Sequence, residues 1–143
     1  MLPVCTSVDV NTRIRVYISD ARKFIEEAIE EFQKGTREGN VMAIRDAAEK
    51  AWNAVVQASN ALVLKFMGKV PSSHWERRRL LRELERRNVK IAEYGFRDRY
   101  CARERNLHEL VFYEGIIDIE DVEDELEKAK KYVDDVVKVI EST

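Results

Sequence analysis

The stretch that decides the fold is residues 40–66, NVMAIRDAAEKAWNAVVQASNALVLKF. Ile44, Ala48, Ala51, Val55, Ala58, Leu62 and Phe66 recur at three- and four-residue steps, the spacing of one helix face. Trp52, Val56 and Val63 widen that face well past a simple stripe, so the helix belongs at the centre of a bundle. Ala47, Ala48, Ala51, Ala54, Ala58 and Ser59 are small enough to let neighbouring helices approach closely. Asn40 is a good N-cap, because its side-chain oxygen can accept from a first-turn N–H.

Working outward, a second amphipathic pattern precedes it from about Asn11 to Lys34, with Ile14, Tyr17, Ile18, Ala21, Phe24, Ile25, Ala28 and Phe32 on one stripe. Gly35 is expected to cap that helix. After the turn around Pro71, residues 73–76 (SHWE) read as a capping box that opens a third helix. Leu80, Leu81 and Leu84 face inward on it, and it ends near Asn88 or runs on towards Gly95. A fourth helical stretch covers about Phe96 to Tyr113, and Gly115 breaks it. Asp118 caps a last helix, Ile119 to Ser142, with Val122, Leu126, Ala129, Val133, Val136 and Ile140 inward. No stretch alternates with period two. The expectation is an all-α antiparallel bundle of four or five helices, one domain over 1–143 with its core at about 12–140.

Composition agrees. The 143 residues include five Gly and two Pro, too few for the frequent turns of a sandwich or barrel. Charged residues are 36%, and the net charge is only −2. That balance hides a cancellation. Residues 75–105 carry ten Arg and one Lys against six carboxylates, a net of +5, whereas residues 109–143 carry twelve carboxylates against four Lys, a net of −8. The run Arg77, Arg78, Arg79, Arg82, Arg86 and Arg87 marks a basic helix, which reads either as a solvated face or, through Arg77, Arg78, Arg82 and Arg86, as a patch that tracks nucleic-acid phosphates. No purely apolar run exceeds four residues, and residues 1–10 lack the pattern of a signal peptide, so no membrane role and a cytoplasmic location are expected.

The residues that carry chemistry are few. Cys5 and Cys101 make no disulfide framework, and reduced thiols are expected. Arginines near Cys101 would lower its pKa, but no histidine is placed to activate it, so it reads as structural. His74 and His108 without a zinc or di-iron spacing argue for no metal and no cofactor. The acidic run 120–127 lacks the glycine of a calcium loop. One constellation remains, Arg103 and His108, followed by Tyr113. A neutral-range base beside a fixed cation suits metal-free phosphodiester cleavage. On an α-helix the two side chains would point about 140° apart, so they would need a kink, a helix end or a second chain to converge.

The segment LHELVFYEG (Leu107 to Gly115) resembles the "LH…FYEG" signature of the archaeal PaREP family. Residues 46–54, DAAEKAWNA, resemble that family's Ala-x-x-Lys-Ala-Trp pattern. The resemblance covers roughly residues 12–140 and implies a branch of the HEPN-like superfamily of small helical bundles. It implies a homodimer, and active members carry an Arg-x4–6-His ribonuclease site at the dimer cleft, often in toxin–antitoxin or defence systems. Other members are binding modules, some beside nucleotidyltransferases. Carried over by position, Arg103 would hold the phosphate, His108 would be the acid/base for the 2′-OH, and Tyr113 would line the cleft. Glu104 departs from the pattern, since its charge would repel a phosphate. The alternative for His108 is an architectural role beneath the FYE segment. Three readings follow: a module that binds RNA, nucleotide or a protein partner such as a nucleotidyltransferase or antitoxin; a metal-independent endoribonuclease; and a self-associating structural bundle.

Overall fold

A computed structural model describes residues 9–143; Cys5 lies outside them. The described residues are helical almost throughout and contain no strand. The elements are α1 (Val10–Glu38), α2 (Val41–Met67), α3 (His74–Arg87), the single turn α4 (Val89–Ala92), α5 (Phe96–Arg103), a π-helical segment (Glu104–Tyr113) that continues α5, and α6 (Ile119–Glu141). The all-α bundle expected from the sequence is observed.

α1 and α2 form a tight antiparallel hairpin. The expected stop at Gly35 is corrected: α1 runs on to Glu38, and Gly39 takes the left-handed cap at φ 65°, its N–H reaching the Gly35 and Thr36 carbonyls. Gly35 is needed for a different reason. A Cβ built there would sit 3.0 Å from Ala43 Cβ and 3.2 Å from the Asn40 carbonyl oxygen. Its missing side chain is what lets the start of α2 lie against the end of α1.

α2 buries 15 of its 27 residues, from Ile44 to Leu64, whereas α1 buries only 6 of 29. It is covered on its different sides by α1, α6, the π segment and α3. The breadth of its apolar face is therefore spent within one chain and does not argue for a partner. The three caps read from the sequence hold: Asn40 accepts from Ala43, Ser73 from Glu76 and Asp118 from Asp121, each through a backbone N–H at 3.0–3.1 Å. The reciprocal half of the expected capping box differs: Glu76 reaches one residue further back and accepts from the Ser72 N–H at 2.8 Å, not from that of Ser73. Across the α2–α6 contact, the buried hydroxyls of Ser59 and Tyr132 bond to each other, so neither is left unsatisfied.

The hairpin contact generates a prediction. A valine at position 35 has to push apart two backbones rather than a flexible side-chain end. Gly35→Val is expected to destabilise the fold by about 1–3 kcal/mol, read as a fall in denaturant midpoint at unchanged slope. An unchanged midpoint would show that the hairpin does not depend on this close approach.

Candidate functional site

α3 is anchored by Leu81, Leu84 and, unexpectedly, Arg77. Arg77 is corrected from an exposed nucleic-acid contact to a buried one. Its guanidinium donates to Asn60 Oδ1 at 2.9 Å, to His74 Nδ1 at 3.0 Å, to Tyr100 Oη at 3.2 Å and to the Pro71 carbonyl at 3.5 Å. An arginine can be buried when its fork is saturated with acceptors in this way. Burial pushes the Tyr100 phenol up to about 12, so it stays protonated among these groups.

The outward face of α3 is different. Arg79, Arg82 and Arg86 are exposed, and Arg78 is half-buried. Trp75 is 61% exposed, with the Arg79 guanidinium 5.4 Å from its ring centroid. Trp75, Arg78, Arg79, Arg82 and Arg97 line a shallow groove of roughly 240 Å³. Glu104 pairs with Arg78 at 2.6 Å at one side of this groove, so its charge is neutralised there instead of standing free. Arg97 reaches in from α5, and its Nε–H is buried without an acceptor among the described residues. A groove with an exposed indole and four arginines, of which Arg78 pairs with Glu104 and Arg97 with Asp98, is suited to a ligand bearing both anionic oxygens and flat rings. The acidic α6 seats on α2 and α1.

The π segment re-aims the residues that the sequence singled out. Its wider i→i+5 register is visible in the bond from Glu114 N–H to the Glu109 carbonyl, at 2.9 Å. Arg45 on α2 holds its end, donating to the Phe112 carbonyl at 2.6 and 3.0 Å and to the Tyr113 carbonyl at 3.1 Å. Gly115 sits at φ 68°, and a Cβ there would crowd the Arg45 guanidinium at 3.2 Å, so glycine suits the position beside this clamp.

Arg103 and His108 engage different neighbours. Arg103 is 5% exposed and forked onto Glu125 of α6 at 2.6 and 3.3 Å, with Asn106 donating to the same carboxylate at 2.7 Å. Its guanidinium is thus committed to a carboxylate within the chain. His108 instead faces α2. Its Nδ1 meets Glu49 Oε1 at 2.8 Å, and its ring lies among Trp52, Phe112 and Tyr113, with centroids at 5.7, 6.3 and 4.9 Å. Tyr113 itself is 67% exposed at the edge of this cluster.

His108 also meets the chain's other histidine. His74 and His108 pack edge to face with centroids 5.5 Å apart, both against the buried Trp52. Burial, aided by the Arg77 guanidinium, holds His74 below its ordinary value. Cys101 is half-buried, and burial raises its pKa despite the arginines around it, so it is not activated. Trp75, Arg97, His74 and Glu49 are not among the site residues expected from the sequence, and Arg79 is expected only as part of the basic run. The Trp75–Arg79 step of one turn was a usable signal; nothing in the sequence marks Glu49 as the partner of His108.

Among comparisons with known proteins, a family model described as the archaeal PaREP1/PaREP8 family matches residues 16–133. No curated protein and no solved structure matches the chain. Among the described residues no helix is long and apolar enough to cross a membrane, and no group of three or more His, Cys, Asp and Glu is placed to hold a metal ion.

The environment of His74 sets a pH dependence. With its folded-state pKa below 6.5, the unfolded chain binds a proton at His74 at a higher pH than the folded chain does. Its contribution to stability is complete above about 6.5 and declines as the pH falls towards the folded value. The melting temperature is expected to drop between pH 7 and pH 5, and part of that drop should vanish in His74→Asn, which keeps an acceptor for Arg77. Parallel profiles for the two proteins would remove His74 as the cause.

Proposed function

The chain belongs to the archaeal PaREP1/PaREP8 family, and from that premise we propose that it is an RNA-binding module that contacts its ligand through the outward face of α3. The observation that carries this reading is the groove of Trp75, Arg78, Arg79, Arg82 and Arg97. The arginines supply planar donors for phosphate oxygens, and the exposed indole supplies a face for base stacking. Because Arg103 is closed on Glu125, the Arg103–His108 pair gives no comparable support to ribonuclease chemistry within one chain.

Binding of this kind is driven by counterion release, so affinity for a single-stranded RNA should fall steeply as salt is raised. Arg79→Ala and Arg82→Ala together should weaken binding about tenfold at 0.1 M salt and flatten the log–log salt slope by roughly 0.7 per arginine. Lys130→Ala on the exposed side of α6 should change neither. Trp75 is exposed and Trp52 is 1% exposed, so quenching on titration should come from the solvated indole and disappear in Trp75→Phe. Binding that survives both arginine changes with an unaltered salt slope would put the RNA elsewhere.

A further inference from the structure

His74 and His108 are the chain's only histidines. They lie 34 positions apart, yet the fold sets their rings side by side on Trp52. Each ring has one nitrogen spoken for. His74 Nδ1 faces the Arg77 guanidinium at 3.0 Å, and a guanidinium only donates, so this Nδ1 is an acceptor and the neutral ring carries its proton on Nε2. The Tyr100 hydroxyl, 3.3 Å away, offers the same nitrogen a second proton. His108 Nδ1 faces the Glu49 carboxylate at 2.8 Å, and a carboxylate only accepts, so this Nδ1 donates and the neutral ring has a bare lone pair on Nε2. Neither Nε2 has a hydrogen bond within the protein among the described residues, and neither is sealed from water. In their neutral forms the two neighbouring rings therefore present one N–H donor and one acceptor, with tautomers fixed by opposite kinds of neighbour. The exposed Tyr113 ring packs edge-on to His108, and Trp75, the residue after His74, projects about 100° round α3 into the basic groove.

We propose that this face holds an unpaired nucleobase of a single-stranded RNA, with His74 Nε2–H donating to the base edge and His108 Nε2 accepting from it. Every base edge offers acceptors and donors to such a pair once it is released from a partner strand, and a duplex conceals them. Tyr113 at this face, and Trp75 in the adjoining groove, give neighbouring bases surfaces to stack on. Arg78, one turn beyond His74 on α3, joins this face to the basic groove, so the backbone phosphates and the base are contacted by adjoining parts of one surface. Burial and the Arg77 charge keep His74 neutral, which preserves its assigned tautomer. The proposal rests on RNA binding at the groove and specifies the strand state of that RNA.

The test compares an unstructured RNA strand with its duplex at equal salt, using the full chain. The wild type should favour the single strand by about tenfold. His74→Asn keeps an acceptor for Arg77 and loses the Nε2 donor; His108→Asn keeps a donor for Glu49 and loses the Nε2 acceptor. Each should bring the preference down to about threefold or less. The double change at Arg79 and Arg82 should weaken both RNAs alike. An imidazole nitrogen spectrum at alkaline pH contains only these two rings, and it should show the proton on Nε2 of His74 and on Nδ1 of His108. The single strand, and not the duplex, should shift both Nε2 signals. Equal binding of the two RNAs by the wild type overturns this inference and leaves the groove reading standing, as does an intact preference in both folded Asn variants or unshifted Nε2 signals at saturation. Binding of neither RNA overturns both.

Discussion

A helix that is apolar on nearly every side cannot stand at a surface, and α2 is such a helix. Its 15 buried residues have to be covered, and each remaining element is positioned by the side it covers. α1 folds back along it through a two-residue turn, and α6 lies along another side. The π segment and α3 close the region around Trp52. That indole is 1% exposed and touches His74, Tyr100 and His108, so it belongs at once to the core and to the underside of the candidate base site. Removing a buried residue of this size typically costs about 3–5 kcal/mol, and here it would also remove the floor on which the two imidazole rings rest.

Charge is handled in two ways in this small bundle. Arg77 and Arg103 are drawn inside and saturated, the first by neutral acceptors and the second by Glu125. Burying an ion pair brings little net stability, because desolvation offsets the Coulomb attraction, but leaving either partner alone is costly. Such pairs therefore specify alignment: the Arg103–Glu125 fork fixes where α6 sits against the π segment. Arg79, Arg82 and Arg86 remain outside and exposed, and Arg78 is half-buried against Glu104. One run of six arginines thus serves both the core and the surface, divided by helical phase.

That division explains what could be read from the sequence. Local signals were sufficient for the helices and for the caps at Asn40, Ser73 and Asp118, because periodicity and capping act within a few residues. They failed where the deciding contact comes from far along the chain. Gly35 looked like a cap, since the crowding by Ala43 and Ile44 that demands a glycine there exists only once the hairpin closes. Arg77 looked exposed, because its acceptors Asn60 and Tyr100 are 17 and 23 residues away. The π register was invisible, since no proline or glycine marks it, and what holds it are tertiary bonds from Arg45, Glu49 and Glu125. The Arg103–His108 spacing was judged on α-helical geometry that the segment does not have. Within the candidate site, the basic run was legible and the pairing of the two histidines was not.

The π segment has a consequence for how the chain can vary. An α-helix tolerates the loss of a residue at its ends, where fraying absorbs it. Between Arg103 and Gly115 the wide register uses its full complement of residues to span two fixed points, the Glu125 fork and the Arg45 clamp. Deleting one residue there would convert one wide turn to the α register, so both anchors could stay in place while the side chains between them changed phase. His108, midway between the anchors, would then shift against Trp52 and Glu49. The number of residues in this segment thus sets the phase of its side chains, alongside their identity.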